Sequence, residues 1–388
     1  MINIDKVPDL ILPNHVTDGS KPNGPPYDFL KYCSRCCLPE TTEGINFDEM
    51  GICKACRSSE EKMRIDWKER EVALEKILDE ARHKSGDNYD CMVPISGGKD
   101  SAFQLHVITK KFGIKPLAVT FSHNWYGKVG WENLWNVLEK LDVDHIMYTP
   151  KRSLVNRLAR KSLSLIGDSC WHCHAGIIGF PLKIAEKFDI KLMVYGESPA
   201  EFSGRDTYFD QEFKSKSAVD IFNIGMQGSI RKGPDSVIGD DIEKKEMVMF
   251  YPPSREELTE KNIQCIYLGD YVFWDHERQK EFLINEYGWK EDQVEGTYKR
   301  YKSVECVMPG VHDYAKFIKR GYGRATDFAS MDVRNGLMTR EEALKVAAHY
   351  DSERPGALDY YLKITGYTEQ EFEDILKEQR KDKAKMLP

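Results

Sequence analysis

The chain has 388 residues and a mass of 44.8 kDa, enough for two or three domains and a substantial core. Hydrophobic residues make up 41% and charged residues 31% of it, which is typical of globular proteins and not of disordered or fibrous ones. A net charge of -7 and a pI of about 5.9 argue against broad non-specific binding to nucleic acid or to an anionic membrane. Because no apolar run reaches the ~18 residues of a membrane span and no secretory signal begins the sequence, we expect a cytoplasmic protein.

The sequence predicts four regions. Residues 1–32 are rich in turn formers and predict an irregular arm, and residues 33–60 form a cysteine-rich knuckle. Strands and helices alternate over residues 61–275, interrupted by a polar excursion at about 200–262 for which we expect little regular structure. Residues 276–388 are predicted to be helical and to end in a charged, frayed tail.

The alternating region defines the fold class. A charged amphipathic helix over Ile65–His83 precedes it. The predicted strands are Tyr89–Ile95, Pro116–Phe121, Asp144–Tyr148, Lys191–Tyr195 and Cys265–Leu268, and the predicted helices are Asp100–Phe112, Gly130–Leu141, 151–166 and 175–188. This alternation is typical of βαβ units and predicts an α/β fold with a Rossmann-like parallel sheet that is covered on both faces.

The hexapeptide SGGKDS lies between the first predicted strand and the helix after it. Its glycines let the backbone approach an anion, and free N–H groups at the helix start point toward that anion. Serine hydroxyls and the lysine ammonium add donors, and the aspartate can hold Mg²⁺ on phosphate oxygens. The predicted loop consists of Ser96, Gly97, Gly98, Lys99, Asp100 and Ser101, with Lys99 and Asp100 as candidate catalytic residues. It resembles the pyrophosphate-binding loop of ATP pyrophosphatases, which cleave ATP between the α and β phosphates.

Two more strand ends lie at the same edge of the predicted sheet, where open α/β proteins bind ligands. In the ATP pyrophosphatase class this edge holds the adenosine. The candidates are Thr120, Phe121 and Ser122 after the second strand, and Gly196, Glu197 and Ser198 after the fourth. Glu197 could bind Mg²⁺ or substrate, and simple strand-end residues or a solvated loop carboxylate are the alternatives.

Four of the ten cysteines form two CxxC pairs at the spacing of a zinc ribbon. We predict that structural Zn²⁺ is bound by Cys33, Cys36, Cys53 and Cys56. Four protein ligands leave no open position, so the predicted role is folding or docking and not catalysis. Cys37, Cys91 and Cys306 are expected to be bystanders or core thiols.

A third CxxC pair, Cys170 and Cys173, lies in GDSCWHCHAG just before a predicted helix. Three interpretations stay open: a reactive or metal-binding pair in the active site, a redox-active disulfide, or a packed turn with reduced thiols. His172 and His174 are candidate proton carriers with pKa values near the ordinary range. Cys265 could add a third thiolate for an iron–sulfur cluster.

Further motifs follow in a specific order. The knuckle is followed by Asp66-Trp67, YDCMVPISGGKDS, VTFSHNW, GDSCWHCHAG and YGES, and then by LGDYVFWD, EGTYKRY, GVHDYAKFIKRGYGRATDFAS and RNGLMTREEA. This order resembles the N-acetyl sugar amidotransferase family of bacterial surface-polysaccharide and flagellin-glycan pathways. The resemblance runs from about residue 31 to about residue 375, and its C-terminal strings are more specific than SGGKDS. It implies an adenine-nucleotide alpha hydrolase-like fold.

The resemblance also implies a reaction, the conversion of a sugar acetamido group to an acetamidino group. ATP would adenylylate the amide oxygen, which turns a poor leaving group into a good one, and ammonia would replace AMP. Mg²⁺, Lys99 and the loop N–H groups would stabilise charge on the departing pyrophosphate. A nucleotide-linked diacetamido uronate and a nine-carbon nonulosonate or its precursors are candidate sugars.

Ammonia needs a source, and the sequence shows no glutaminase signature, neither an N-terminal cysteine nucleophile nor a nucleophile-elbow cysteine. The resemblance implies separate partner subunits similar to the glutaminase and the cyclase of the histidine pathway. The knuckle and the C-terminal helices are candidate docking surfaces. We expect no nucleic-acid partner.

Aromatic and charged side chains are candidates for the sugar site. The aromatic candidates are Trp125, Trp171 and Trp274, each with the hydrophobic core as its alternative. Arg324 could clamp a diphosphate or a carboxylate, or it could pair with Asp327 at a helix start. His312 and Asp313 offer a further acid–base pair or a solvated surface.

Two other functions stay open. Enzymes of tRNA thiolation also join a zinc knuckle, an SGGKDS-like loop and an iron–sulfur cluster, for which Cys170, Cys173 and Cys265 would be the ligands; the acidic pI argues against this function. The other is a zinc-ribbon scaffold with an inactive nucleotide fold, against which the intact SGGKDS loop argues.

Overall fold

The structure, a computed structural model, describes residues 27–201, 208, 216–217, 232–239 and 241–388. At its centre is a six-stranded sheet of order β3-β2-β1-β4-β6-β5. The strands are β1 Cys91–Pro94, β2 Pro116–Phe121, β3 His145–Tyr148, β4 Leu192–Tyr195, β5 Lys216–Ser217 and β6 Gln264–Tyr267. All pairs are parallel except β5 with β6, so the predicted parallel α/β sheet is confirmed.

Thirteen α-helices surround the sheet in the described part of the chain. Those of the N-terminal half are α1 Lys54–Lys62, α2 Trp67–Ser85, α3 Lys99–His106, α4 Lys128–Leu141, α5 Arg152–Ile166 and α6 Trp171–Lys187. The others are α7 Arg255–Glu260, α8 His276–Tyr287, α9 Pro309–Arg320, α10 Arg324–Arg334, α11 Arg340–Asp351, α12 Ala357–Thr365 and α13 Glu369–Glu378. The predicted helical C-terminal region is therefore confirmed. No helix among the described residues combines the length and the apolar character needed to cross a membrane.

Both faces of the sheet are buried, as the period-two arrangement of side chains shows. Val93 and Val194 face a core shared with α2, α3, α4 and α8. Met92 and Met193, their chain neighbours, face a second core shared with α5 and α6. Because helices cover both faces, the strands are apolar at nearly every position instead of alternating with polar residues.

The strand order places a crevice at the centre of the sheet. The chain runs from β1 to β2 to β3 in one direction and then continues on the other side of β1 with β4. Ligands of open α/β sheets bind at such a reversal, outside the carboxyl ends of the strands. Here the SGGKDS loop follows β1 and the Gly196-Glu197-Ser198 segment follows β4, so the topology brings the two predicted segments together.

The prediction of a polar excursion with little regular structure is wrong for the described part of residues 200–262. Helix α7 and short 3-10 turns at Pro234–Val237 and Lys244–Phe250 lie there. The segment buries apolar residues in the second core, namely Val237, Ile242, Met247, Phe250 and Leu258. These residues follow no regular period, which is why the sequence pattern did not reveal them.

The charged C-terminus is packed, which corrects the prediction of a frayed tail. Ala384 and Leu387 are buried against Leu30. The Arg380 guanidinium donates to the carbonyl oxygens of Ile318, at 2.9 Å, and of Leu387, at 2.6 Å. Of the predicted N-terminal arm, residues 1–26 lie outside the described part.

The contact between α6 and β2 gives a first prediction. A Cβ on Gly176 would lie 2.1 Å from Cε1 of Phe121. Although Gly→Ala inside a helix ordinarily stabilises by about 0.5–1 kcal/mol, we expect Gly176→Ala to lower the free energy of unfolding by about 1–3 kcal/mol through overpacking. Urea denaturation measures it. The control Ile177→Ala, at an exposed position of the same helix, should change stability by less than about 0.5 kcal/mol. Equal stability of Gly176→Ala and the parent protein would contradict this contact.

Candidate functional site

The loop after β1 is shaped by its own serines. Ser101 Oγ accepts the backbone N–H of Ser96 at 3.2 Å and donates to the carbonyl oxygen of Gly98 at 3.1 Å. Ser96 Oγ accepts the N–H of Gly98 at 3.3 Å. Gly97 has a φ of 87°, and a Cβ there would lie 2.6 Å from the Gly130 carbonyl oxygen, so only glycine fits. The loop is therefore a tight turn that leads into the N-terminus of α3.

Lys99 is buried among charged and polar neighbours, and its predicted role toward phosphate stays a prediction. Its side chain is fully buried and touches the carboxylate of its neighbour Asp100. Its Nζ donates to Gln279 Oε1 at 2.9 Å and lies 3.2 Å from His276 Nδ1. Burial lowers the pKa of this ammonium, while the adjacent carboxylate opposes that shift. Lys99 is thus bound to Asp100 and to two residues of α8.

Asp100, Glu197 and His276 form a group whose possible metal-binding atoms all lie within 4.8 Å of one another. Lys302 Nζ lies 3.4 Å from Asp100 Oδ2 and 3.8 Å from Glu197 Oε2. Burial alone would raise the pKa of Asp100, but Lys302 and Lys99 hold it well below its usual range. Asp100 is therefore a carboxylate at neutral pH. We call these five residues the charged cluster.

Two buried polar atoms of the charged cluster have no hydrogen-bond partner among the described residues. His276 Nε2 lies 2.9 Å from Glu197 Oε1, yet the two atoms are not aligned for a hydrogen bond. Both are buried, and neither has a hydrogen-bond partner among the described residues. Buried polar atoms are normally paired, so this pair of atoms is suited to a group that binds between them, such as a cation. Asp100 and Glu197 supply the oxygen ligands that Mg²⁺ prefers.

Glu305 approaches the loop from the C-terminal region. A Cβ on Gly98 would lie 2.9 Å from Glu305 Oε2, so the carboxyl group lies directly against the start of α3. Burial raises the pKa of Glu305, and Oε2 has no hydrogen-bond partner within the described residues. The raised pKa favours a carboxylic acid that can hold a proton beside a bound anion.

The predicted adenosine contacts are buried strand-end residues. Thr120 Oγ1 donates to the carbonyl oxygen of Ile95 at 2.7 Å, and Phe121 packs in the second core. Ser122 Oγ accepts the N–H of Asn124 at 3.3 Å. Their side chains are therefore used within the fold, and their role as adenosine contacts stays a prediction. Gly196 lies at the edge as predicted, and its carbonyl oxygen accepts the N–H of Gly269 at 2.9 Å.

The sequence interpretation missed His276, Lys302 and Glu305. His276 begins the helix that follows β6 and its 3-10 turn, so the rule that ligands bind at strand carboxyl ends could have found it. Lys302 and Glu305 lie between α8 and α9 in a segment without regular secondary structure. Only the tertiary fold brings them to the site.

The four knuckle cysteines converge as predicted. All are buried, Cys33 Sγ lies 3.9 Å from Cys56 Sγ, and Cys36 Sγ lies 3.7 Å from Cys53 Sγ. Four thiolates around zinc at about 2.3 Å give sulfur–sulfur distances of about 3.8 Å, so the thiols fit a tetrahedral metal site. The N–H groups of Cys36 and Cys53 point to Cys33 Sγ, at 3.5 and 3.2 Å. The prediction of a four-cysteine metal site is supported.

Cys37 is outside this group, also as predicted. Its Sγ points to the carbonyl oxygen of Thr326 at 3.4 Å. Arg340 Nε donates to the carbonyl oxygens of Cys33, at 2.9 Å, and Cys36, at 3.1 Å. The first half of the knuckle is therefore bound to α10 and α11, which makes this surface a contact within the chain.

Cys170 and Cys173 do not meet Cys265. Cys170 caps α6 and packs, with Cys173 and Cys306, in a third core, whereas Cys265 lies on β6 in the second core. Among the described residues, no group close enough to share a metal contains Cys170, Cys173 and Cys265, so the structure does not support the alternative of an iron–sulfur cluster held by these residues. Burial raises the pKa of both Cys170 and Cys173 well above the ordinary value, and no disulfide joins them. They fit a packed turn with reduced thiols.

The two histidines of this motif differ. His172 is fully buried, and burial lowers its pKa to about 4, which corrects the expectation of an ordinary pKa. A base of that strength is a poor proton carrier at neutral pH. His174 is half-buried, and its Nδ1 is 3.2 Å from Asp168 Oδ2.

The three tryptophans proposed for the sugar site are buried. Trp171 is fully buried against Phe250, and Trp125 packs edge-on against His172. Neither offers a face to a sugar ring, so the structure corrects both assignments and places these residues in the core. Trp274 is also buried, and its Nε1 donates to Asp100 Oδ1 at 3.2 Å, which fixes the carboxylate of the charged cluster.

Arg324 does not pair with Asp327. Its Nε lies 2.5 Å from Asp313 Oδ2, whereas Asp327 binds Lys316 at 2.5 Å. The alternative of an ion pair between Arg324 and Asp327 at the helix start is therefore wrong. Arg324 Nη1 is buried without a hydrogen-bond partner among the described residues, so one edge of the guanidinium can still accept an anion. The substrate roles of Arg324 and Asp327 stay predictions.

The fold and the site together define an α/β protein with a glycine-rich loop at the sheet reversal and a helical C-terminal region that contributes Lys302 and Glu305 to the same site. Residues 295–385 match a family model described as the LPS biosynthesis protein WbpG-like, C-terminal domain. The match begins at the string EGTYKRY and includes two further C-terminal strings of the sequence resemblance, GVHDYAKFIKRGYGRATDFAS and RNGLMTREEA, so that resemblance is confirmed.

A relative and a solved structure are also similar. MJ1599, an uncharacterized protein of Methanocaldococcus jannaschii, is 32% identical over 315 residues, which is 81% of this chain and 91% of the relative. The chain belongs to the same family as this archaeal protein. The structure of NMN synthetase from Francisella tularensis matches with a TM-score of 0.27 and 13% identity, over 51% of this chain and 93% of that one.

Two adjacent cysteines provide a direct test of the knuckle. We expect Cys36→Ser to lose one bound metal ion per chain and to lower the free energy of unfolding by about 3 kcal/mol or more, because it removes a metal ligand. Cys37→Ser should keep the metal, since Cys37 is buried elsewhere. Metal content by mass spectrometry and urea unfolding measure both effects. Loss of the metal in Cys37→Ser, with retention in Cys36→Ser, would contradict the ligand assignment.

Proposed function

We propose that this protein is an ATP-dependent enzyme of surface-glycan biosynthesis that converts a sugar acetamido group to an acetamidino group. The observation that carries the proposal is the charged cluster, which lies beside the SGGKDS loop and receives Lys302 from the WbpG-like region. An ATP-binding loop joined to a domain of LPS biosynthesis fits an enzyme that activates a glycan precursor with ATP.

Phosphate recognition would come from the loop and the start of α3. The first backbone N–H groups of α3 and the positive end of its dipole would favour the charge of a phosphate. Asp100 and Glu197 would hold Mg²⁺, which neutralises phosphate charge when it is bound. Lys302 lies close to both carboxylates and adds a cation on the side of the C-terminal domain.

The proposed chemistry begins with attack of the acetamido oxygen on the α-phosphorus of ATP. Pyrophosphate leaves, and the amide carbon becomes bonded to an oxygen that now belongs to AMP. Ammonia adds to this carbon, the bond to the AMP oxygen breaks, and the acetamidino group remains. An amide is a poor electrophile, so activation of its oxygen is the step that ATP drives.

Glu305 is the residue proposed to handle protons in this step. Its carboxyl group lies against Gly98 and has a raised pKa, so it can be protonated while phosphate is bound and can later accept a proton from the incoming nitrogen. A protonated carboxylic acid can lie beside a phosphate without repulsion, whereas a permanently charged carboxylate would repel it. A buried acid with a raised pKa therefore suits this role.

Ammonia is proposed to come from partner subunits similar to the glutaminase and the cyclase of the histidine pathway. The proposal rests on the absence of a glutaminase signature in the sequence and on the family resemblance. The knuckle surface facing α10 and α11 is occupied within the chain, so a partner would bind elsewhere.

The test uses the purified protein with ATP, Mg²⁺, ammonium chloride and a panel of nucleotide-linked N-acetyl sugars. We expect AMP and pyrophosphate to form only when sugar and ammonium are both present. Asp100→Asn should lower kcat by about 100-fold or more, because the group that faces the phosphates loses its charge.

Asp79→Asn is the matched control, because Asp79 lies on the exposed side of α2 and pairs only with Arg82 among the described residues. It should keep the activity of the parent protein. Formation of ADP instead of AMP, or AMP formation that does not depend on the sugar, would contradict the proposed reaction.

A further inference from the structure

A second cluster of metal-binding side chains lies away from the SGGKDS loop and is not used by the proposed reaction. Asp168 precedes α6, His174 lies in the first turn of that helix, and His312 lies in the first turn of α9. The possible ligand atoms of these three residues all lie within 4.8 Å of one another. The rings of His174 and His312 are 5.5 Å apart and nearly perpendicular.

Neighbouring groups hold the side chains of His312 and Asp168 in place by hydrogen bonds, as is common for the ligands of metal sites. His312 Nδ1 lies 3.2 Å from Asp313 Oδ1, and the other oxygen of Asp313 lies 2.5 Å from Arg324 Nε. A carboxylate on one ring nitrogen fixes the tautomer and leaves Nε2 as the ligand atom, which is the usual arrangement behind a metal-bound histidine. On the other side, Asp168 Oδ1 accepts the N–H of Cys170 at 2.7 Å, which fixes that carboxylate.

The site is open to solvent on one side. The exposed fraction of the side chain is 12% for Asp168, 24% for His174 and 35% for His312, so an ion can enter without opening the core. Ligands of a tetrahedral ion with bonds of about 2.1 Å lie about 3.4 Å apart. The ligand atoms here lie within 4.8 Å of one another, so only a small movement is needed to close them on an ion.

We propose that Asp168, His174 and His312 bind a divalent transition-metal ion of the zinc class, separate from the knuckle. Two imidazoles and one carboxylate select such an ion over Mg²⁺, which prefers oxygen ligands alone. Three protein ligands leave the fourth position for water or for an oxygen of a ligand. This site does not depend on the proposed function.

The experiment uses the full chain, freed of metal with a chelator, then dialysed against a small molar excess of ZnCl₂ over two sites per chain without nucleotide, and finally against buffer without metal. We expect two zinc ions per chain in the parent protein. Asp168→Asn and His312→Asn should each retain one, and the control His83→Asn, at an exposed position of α2, should retain two.

Cobalt distinguishes the two sites by spectroscopy. In Cys33→Ser, bound Co²⁺ should lose the thiolate charge-transfer absorption of the knuckle and keep the weaker ligand-field bands of a nitrogen–oxygen site. In His312→Asn the reverse should hold. Glu197→Gln tests the charged cluster as the alternative source of the second ion and should retain two zinc ions.

Three results would overturn the proposal. One is a single zinc ion in the parent protein, which would leave Asp168 and His174 as a simple ion pair. Another is two ions in both Asp168→Asn and His312→Asn. The third is loss of the second ion in Glu197→Gln alone, which would place it in the charged cluster.

Discussion

The burial of opposite charges at the carboxyl edge of the sheet is the constraint on which the site depends. Lys99 and Lys302 would each be costly to bury alone, and so would Asp100 and Glu197. Together they compensate one another, with His276 between them. Removing one partner of a buried pair leaves an uncompensated charge and typically costs about 3–5 kcal/mol.

This constraint links parts of the chain that are far apart in sequence. The loop after β1, the loop after β4, helix α8 and the segment before α9 each contribute a member of the charged cluster. Since each member needs the others, the site is complete only when the C-terminal region is docked on the sheet. The contacts of Arg340 and Cys37 bind the same C-terminal region to the knuckle. The WbpG-like region therefore contacts both the charged cluster and the knuckle.

The sequence predicted the parts of the site that depend on local pattern. The pattern of strands and the position of SGGKDS placed Asp100 at the carboxyl edge of the sheet. Glu197 was placed at the same edge because ligands of open α/β sheets bind at the carboxyl ends of strands. Lys302 could not be predicted, because its segment has no period and its role arises from the fold. Trp171 was misassigned for a related reason: Phe250, which covers it, belongs to a segment whose apolar residues follow no regular spacing.

The central claim is that ATP activates the acetamido oxygen of the sugar, and an oxygen label tests it most directly. The sugar that supports AMP formation is prepared with ¹⁸O in its acetamido carbonyl and turned over with unlabelled ATP and ammonium. The account predicts that the label appears in AMP, because the carbonyl oxygen leaves with the phosphate, and that the acetamidino product contains none of it. Unlabelled AMP with the label still in the sugar would contradict the account.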